Sequence, residues 1–244
     1  MIIMKKATIR GQIIVLTLLL SIPTLANKMT IAPYGQVTRN VYKMEKLNQA
    51  FDEFNLSMLW LQFDLGYQGF ATKYSTLDPL DSSTSFEGGI SLPLAPNYSL
   101  KIGLQQHNSE RNYKLSVSAF MSPTHFVTGS VKVSATGGVA KFIIGPPDAL
   151  NVYFGGGYYQ ASSKVEHNGL YPEELDELPK IPEGNGSTFG LEAGAEFKKT
   201  LSKNIILTGT LGYASLKVPI EDDNNEWELD FSGLRASAGI KLLF

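Results

Sequence analysis

Short segments in which apolar and polar residues alternate run through this chain from residue 58 to its end. Alternation with period two places one kind of side chain on each face of a β-strand. Beyond residue 26 no run of about 18 apolar residues exists, so the sequence offers no membrane-spanning helix. Because every backbone polar group in lipid must be paired, a closed β-barrel is the one membrane-spanning fold open to such a chain.

The N-terminus has the features of a secretory signal. Lys5, Lys6 and Arg10 precede an apolar run over 13–20, and Thr24-Leu25-Ala26 offers small residues at the usual cleavage spacing. The apolar run is too short for a bilayer-spanning helix, which disfavours the alternative of an uncleaved anchor. We therefore predict a signal peptide over residues 1–26 and export of the remainder.

Charge and cysteine content narrow the partners and the source of stability. Removing the three basic residues of the predicted signal moves the formal net charge from −2 to about −5, which argues against a nucleic-acid partner. The chain has no cysteine. An exported chain that cannot form disulfides must be stabilised by a large core or by a membrane.

The alternation predicts an all-β, antiparallel up-and-down transmembrane barrel of about ten strands. These strands are expected over 59–68, 85–94, 99–105, 113–119, 127–135, 140–144, 150–163, 189–198, 205–213 and 234–244. The predicted organisation is a signal peptide at 1–26, an N-terminal segment at 27–57 and the barrel at 58–244. A soluble barrel with its apolar face inward also alternates, because periodicity does not distinguish inside from outside.

The lengths of the connections favour the membrane alternative. Tight Pro, Gly, Asn or Ser turns are predicted at 95–97, 121–123, 145–148 and 200–204, and long connections at 70–83, 165–186 and 218–228. Outer-membrane barrels have short periplasmic turns and longer external loops. Ten strands with both termini in the periplasm would put every tight turn on one side and every long loop, two of them acidic, on the other.

A helical pattern precedes the predicted barrel. Met44, Leu47, Phe51 and Phe54 recur within residues 38–56 at helical spacing, with charged and amide residues between them. One interpretation is a plug across the periplasmic mouth of the barrel. The other is a helix that packs on the turns or lies on the membrane surface.

The polar faces of the predicted strands carry charges of both signs. Isolated charges inside a narrow barrel would be costly, so we expect a paired network that fills the lumen, with a narrow solute path as the alternative. The expected lumen charge network consists of Asp64, Glu87, Lys101, Lys114, Lys132, Lys141, Glu192, Glu196, Arg235 and Lys241.

The end of the chain carries a family resemblance. Gly239, Leu242 and Phe244 lie in a segment that resembles the C-terminal assembly signal of outer-membrane proteins, a glycine followed by alternate apolar residues and a terminal aromatic. With the signal peptide and the strands, the chain resembles the small outer-membrane barrels of the OmpA, OmpX and OmpW group. The resemblance implies an integral outer-membrane location, contact with outer-membrane lipid and recognition by the barrel-assembly machinery.

Signals for catalysis are weak. His107-Asn108-Ser109 is similar to the His-x-Ser arrangement of lipid A deacylases, but a turn serine beside a solvated histidine also explains it. We predict no catalytic site, no metal and no cofactor. The expected function is a structural or surface-interaction role with acidic external loops and a mostly closed lumen. A narrow channel and a lipid- or peptide-modifying enzyme are the alternatives, and the external ligand is not identified by the sequence.

Overall fold

The computed structural model describes residues 31–118, 125–146, 149–168, 179–222 and 225–244. The predicted signal peptide lies outside these ranges and stays a prediction. The elements are β1 (Ala32–Tyr42), α1 (Glu45–Tyr67), β2 (Ala71–Ser75), β3 (Ser82–Ala95), β4 (Tyr98–Ser118), β5 (His125–Ile144), β6 (Leu150–Asn168), β7 (Gly184–Ser202), β8 (Ile205–Ser215), β9 (Lys217–Asp222), β10 (Asn225–Asp230) and β11 (Gly233–Leu242).

Eight antiparallel strands close into a barrel. Their order around the wall is β1, β3, β4, β5, β6, β7, β8 and β11, and β11 pairs back with β1. The short strand β2 extends the wall beside the far end of β4, and β9 with β10 forms a separate hairpin. The predicted fold class, an all-β antiparallel barrel with a short helix, is confirmed.

The strand number is eight rather than ten, and three errors account for the difference. The first predicted strand, 59–68, falls largely within helix α1. The predicted pairs 99–105 with 113–119 and 127–135 with 140–144 are each one long strand, β4 and β5. Strand β1 was missed, so the barrel begins at Ala32 and not at residue 58, and the helix starts at Glu45 rather than within residues 38–44.

The split strands have a physical cause, because the apolar face of a single strand changes sides along its length. On β4, Leu100, Ile102 and Leu104 face outward near one end, whereas Tyr113 and Leu115 face inward near the other. The backbone alternates without interruption, but the hydrophobic pattern shifts by one residue. A pattern-based prediction therefore places a break where the strand continues.

The two ends of the barrel differ in their connections. At the turn end the connections are short, at 96–97, 145–149 and 203–204. At the other end, the loop end, lie α1 with β2, the connection between β6 and β7, and the β9–β10 hairpin. Both described termini lie at the turn end, which is the periplasmic side by the rule for such barrels. The predicted turn at 121–123 joins β4 to β5 at the loop end, and its residues lie outside the described ranges.

Helix α1 belongs to the first loop-end connection, between β1 and β3. The interpretation as a plug at the periplasmic mouth is therefore wrong, because the helix covers the opposite mouth. The helix ends where Gly69 adopts a φ of 93°, and the amide of Phe70 then donates to the carbonyl of Leu65 at 3.0 Å. No helix among the described residues has the length and hydropathy of a bilayer span.

Side chains of the helix hold the next segment of chain in place. The side-chain oxygen of Asn48 accepts a hydrogen bond from the backbone amide of Leu80 at 2.7 Å. The side-chain oxygen of Asn55 accepts one from the backbone amide of Leu77 at 2.9 Å. Leu77 and Leu80 are buried in the same core as the helix. The helix and the connection from β2 to β3 are thus fixed on the barrel by paired backbone groups as well as by packing.

A continuous apolar core lies under the helix at the loop end. Its helical members are Leu47, Phe51, Phe54 and Met58, which are buried against inward side chains of the barrel and the β9–β10 hairpin. The barrel and hairpin members include Tyr113, Leu115, Val127, Val131, Val133, Leu216, Val218, Ile220, Leu229 and Phe231. This core closes the loop-end mouth of the barrel.

Candidate functional site

An ion-paired network spans the lumen in the turn-end half of the barrel. Lys141 on β5 lies 2.5 Å from a carboxylate oxygen of Glu87 on β3 and 2.5 Å from one of Glu192 on β7. Glu192 in turn accepts from Arg235 on β11 at 2.9 Å. All four side chains are buried, and the four strands lie around the whole wall. The pairs therefore cross the lumen at this level.

Neutral side chains complete this network. Glu87 accepts from the hydroxyl of Tyr34 at 2.8 Å and from the amide of Gln36 at 3.0 Å. Gln105 accepts from the hydroxyl of Tyr159 at 2.7 Å and from Arg235 at 3.2 Å. Buried charges are tolerated only when they are paired and their remaining lone pairs are satisfied. This arrangement meets that requirement for Glu87.

A second cluster lies nearer the turn end. Lys101 on β4 is paired with Glu196 on β7, and Lys198 lies 3.3 Å from the same carboxylate. Lys241 on β11 donates to the hydroxyl of Ser91 on β3 at 2.9 Å. Strands β5 and β6 separate β4 from β7 on one side of the barrel, and four strands separate them on the other. The Lys101–Glu196 pair therefore also bridges the lumen.

Seven of the ten residues expected in the lumen network lie there, and three do not. Asp64 is exposed on α1, where Gln68 donates to it, and Lys114 is exposed on the outer face of β4. Lys132 faces outward from β5 and pairs with Glu166 at 2.5 Å. Lys114 and Lys132 lie in the loop-end parts of β4 and β5, where the apolar side chains face inward. The polar face of each strand is therefore the outer one there.

Lys198 and Gln36 are among the participants that the expected network omitted. Lys198 lies on the same inward face of β7 as Glu192 and Glu196, at an even number of residues from both. The alternation of the strand alone could therefore have identified it as a lumen residue. Gln36 was missed because β1 itself was missed. The outward face of β1 carries Gly35 and Arg39 among its valines, so the strand lacks a clear apolar face.

The proposed assembly-signal residues lie at the seam where the barrel closes. Gly239 pairs with Gln36 of β1 and with Thr208 of β8, while Leu242 ends β11 and Phe244 is exposed beyond it. Recognition of this segment by an assembly machinery stays a prediction.

A different kind of surface covers the distal half of α1. Leu56, Trp60, Phe63 and Tyr67 recur at spacings of four, three and four residues, which places them on one face of the helix. This aromatic face is exposed: the exposed fractions of Trp60, Phe63 and Tyr67 are 66%, 69% and 88%. Trp60 and Phe63 pack edge to face, with ring centroids 6.2 Å apart.

The described histidines do not form the hydrolytic pair that the sequence allowed. His107 is buried between the rings of Tyr159 and Phe231, and neither ring nitrogen has a hydrogen-bond partner within the described part of the chain. Ser109 instead bonds the hydroxyl of Tyr42 at 3.0 Å. The side chain of His125 lies outside the residues that the structure describes.

A polar cleft of about 460 Å³ lies on the loop-end part of β4, β5 and β6. Glu110, Asn112 and Glu166 line it, together with His167, whose Nδ1 contacts the hydroxyl of Tyr113. Partial burial lowers the pKa of His167 below its ordinary value, so its imidazole is neutral at physiological pH. The cleft presents hydrogen-bonding groups without a group of three or more metal-ligating side chains among the described residues.

The closed wall, the apolar outer band and the ion-paired interior define the class of protein. The exposed large apolar residues of β3, β7, β8 and β11 face outward. The ion-paired side chains of β3, β4, β5, β7 and β11 are buried inside the barrel. This is the pattern of a barrel with lipid outside and a polar interior. The chain is a small outer-membrane β-barrel and an integral protein of that membrane.

Solved structures of outer-membrane barrels resemble it in fold. OprG from Pseudomonas aeruginosa is 13% identical with a TM-score of 0.39, over 88% of this chain and 95% of that one. Neisserial surface protein A is 12% identical with a TM-score of 0.43, over 89% of this chain and 100% of that one. Ail of Yersinia pestis is 9% identical with a TM-score of 0.38, over 88% of this chain and 97% of that one. No protein-family model and no curated protein matches the chain.

Proposed function

We propose that this protein is a surface docking protein, in which a closed barrel anchors helix α1 outside the cell and presents its aromatic face to a partner. The observation that carries the proposal is the exposure of Trp60, Phe63 and Tyr67 on one helical face. Trp and Tyr dominate the energetically important positions of protein interfaces. A contiguous exposed apolar surface of this kind is typical of an interaction site.

The position of this face argues against an anchoring role in the protein's own membrane. Three residues separate Tyr67 at the end of α1 from β2, and Ala71 of β2 pairs with Ser118 at the far end of β4. The last apolar outward residue of β4 is Leu104. A strand rise of about 3.4 Å per residue and a tilt of about 40° put Ser118 roughly 35 Å above Leu104. At that height the aromatic face is well beyond the lipid headgroups.

The chemistry of the face indicates the kind of partner. Anchors at i, i+4, i+7 and i+11 are the arrangement by which a helix fits an apolar groove of another protein. The same side of the helix carries Asp52 and Glu53 one turn before Leu56, and Asp64 flanks the aromatic residues. We propose a protein partner with an apolar groove and a basic rim. The carboxylates would repel an anionic membrane surface.

The barrel itself serves as an anchor in this proposal. The ion pairs of Lys141 cross the lumen, and the core around Phe51 closes the loop-end mouth. Both features oppose the channel alternative, and we expect purified protein in planar bilayers to show no stepwise conductance. The different surroundings of His107 and Ser109 oppose the hydrolase alternative, so we also propose that the protein is not an enzyme.

Site-specific photocrosslinking tests the docking role. A photoreactive phenylalanine analogue at Trp60, displayed on intact cells and exposed to the organism's natural surroundings, should form a crosslink to a discrete foreign protein. The crosslink should disappear in F63S/Y67S and persist in Q49A, which changes an exposed residue on the acidic half of the same helix. Crosslinking to lipid alone, to a second copy of the chain, or to nothing would overturn the proposal.

A further inference from the structure

A groove of about 670 Å³ crosses the lipid-facing wall from β3 to β7. Its upper wall is formed by Leu104, Tyr158 and Phe189, and its lower wall includes Ile102 and Leu191. Tyr158 packs edge to face on Phe189, with ring centroids 5.0 Å apart. These side chains belong to the apolar band that faces the bilayer, so whatever fills the groove comes from the bilayer.

Gly88 and Gly138 lie in the same outward row as Leu104, Tyr158 and Phe189 and leave gaps in it, and the barrel does not need glycine at either position. A Cβ at Gly138 would meet nothing within 4 Å, and one at Gly88 would meet only the carbonyl oxygen of Tyr34 at 3.7 Å. Neither residue has a left-handed backbone conformation. Glycine weakens a strand interior. The physical consequence of glycine at these two positions is the concave surface itself.

Hydrogen-bonding side chains lie directly above the groove. Gln106, Thr136, Gln160 and Ser187 are paired in succession across β4, β5, β6 and β7, one outward row above Leu104, Tyr158 and Phe189. Ser187 accepts from the hydroxyl of Tyr158 at 2.7 Å. The groove thus opens toward neutral donors and acceptors on the loop-end side, where the apolar band ends.

We propose that the groove is a binding site for an acyl chain of an outer-leaflet lipid, whose headgroup is hydrogen-bonded by the polar row above. The groove extends over four strand spacings, roughly 19 Å, and lies between two adjacent outward rows. A slender hydrocarbon chain fills such a shape. A second barrel is convex and would touch the rims rather than the floor. This site is separate from the aromatic face of α1.

Native mass spectrometry in a non-ionic detergent tests the site, with lipid A, the acylated anchor of outer-leaflet lipopolysaccharide, as the probe lipid. We expect the protein to retain one lipid molecule more than G88L/G138L, in which leucines fill the gaps left by the two glycines. The matched control is G209L on β8, an outward glycine outside the groove whose Cβ would meet only the Ser237 carbonyl oxygen at 3.7 Å. This variant should retain as much lipid as the unmodified chain.

Folding of each variant is checked by its heat-dependent migration in gels. If G88L/G138L does not fold, G88A/G138A replaces it, and lipid retention should then be intermediate. Equal retention by the unmodified chain and the filled variant would overturn the proposal. A change from dimer to monomer in the filled variant, without loss of lipid, would also overturn it and assign the groove to a second copy.

Discussion

The two halves of the barrel wall have opposite arrangements of apolar and polar side chains. In the turn-end half, Ile102 and Leu104 face lipid, and ion pairs such as Lys101–Glu196 lie inside. In the loop-end half of β4, Asn112 faces water and Leu115 lies in an apolar core. The surrounding solvent decides which chemistry faces outward, because the backbone alternation is the same in both halves.

The interior of each half is occupied by a different kind of interaction. Ion pairs fix the lumen of the membrane half, whereas hydrophobic packing of α1 closes the projecting half. Ion pairs in a low-dielectric interior require mutual satisfaction, and loss of one partner leaves a buried charge. Apolar packing loses stability in proportion to the cavity created. The two halves should therefore respond differently to substitution.

Single-cysteine labelling should give the largest effect, because accessibility is close to all-or-none. The chain has no native cysteine. On β4 we expect a water-soluble maleimide to label N112C fully on intact cells and to leave L104C, in lipid, and L115C, in the core, unlabelled. Labelling after detergent unfolding is the positive control for each variant. Strong labelling of L115C with protection of N112C would show that the apolar face does not change sides.

Replacing Lys141 with Met should cost the barrel roughly 3–5 kcal/mol, because Glu87 and Glu192 would both lose their shared cation inside the lumen. The urea midpoint of the barrel in detergent micelles measures this loss. The matched control is K217M, which removes an exposed ion pair with Glu228 on the hairpin and should leave the midpoint unchanged. Equal midpoints for both variants would contradict the closed ionic lumen.

Replacing Met58 with Ala should destabilise the loop-end core by about 3 kcal/mol, since its side chain is fully buried under α1. The expected result is faster proteolysis within residues 45–80, while the barrel keeps its heat-dependent migration. The control is Q49A, on the exposed face of the same helix. Simultaneous loss of the barrel would mean that the two halves unfold as one unit.

The smallest effect concerns the exposed pair of the hairpin. A hydrogen bond from Lys217 to Glu228 raises the pKa of the lysine. A raised pKa means that this small stabilisation is present below the ordinary lysine pKa and is lost as the pH rises through the higher folded value. E228Q should lower the pKa of Lys217, as measured by NMR titration of methylated lysines. An unchanged pKa would show that the pair does not persist in solution.

Several features of the barrel were predictable from individual residues. The inward phase of Glu87, Glu192 and Arg235 followed from alternation, and the short proline-containing connections that begin at Pro96 and Gly145 followed from local turn chemistry. The segment from Leu59 to Tyr67 was not predictable by alternation, because leucines and aromatics at every second position also fit a helix of which one side is left exposed.

The sequence by itself determined the class of fold as an all-β barrel of alternating strands, and the absence of a long apolar run beyond residue 26, together with the long connections near 70–83, 165–186 and 218–228, favoured the membrane alternative. Only the tertiary structure decided how many strands close the wall, which mouth the helix covers, and where Lys114 and Lys132 point. The physical reason is that a period-two pattern reports which residues share a face, whereas the medium on that face changes from lipid to water along the same strand.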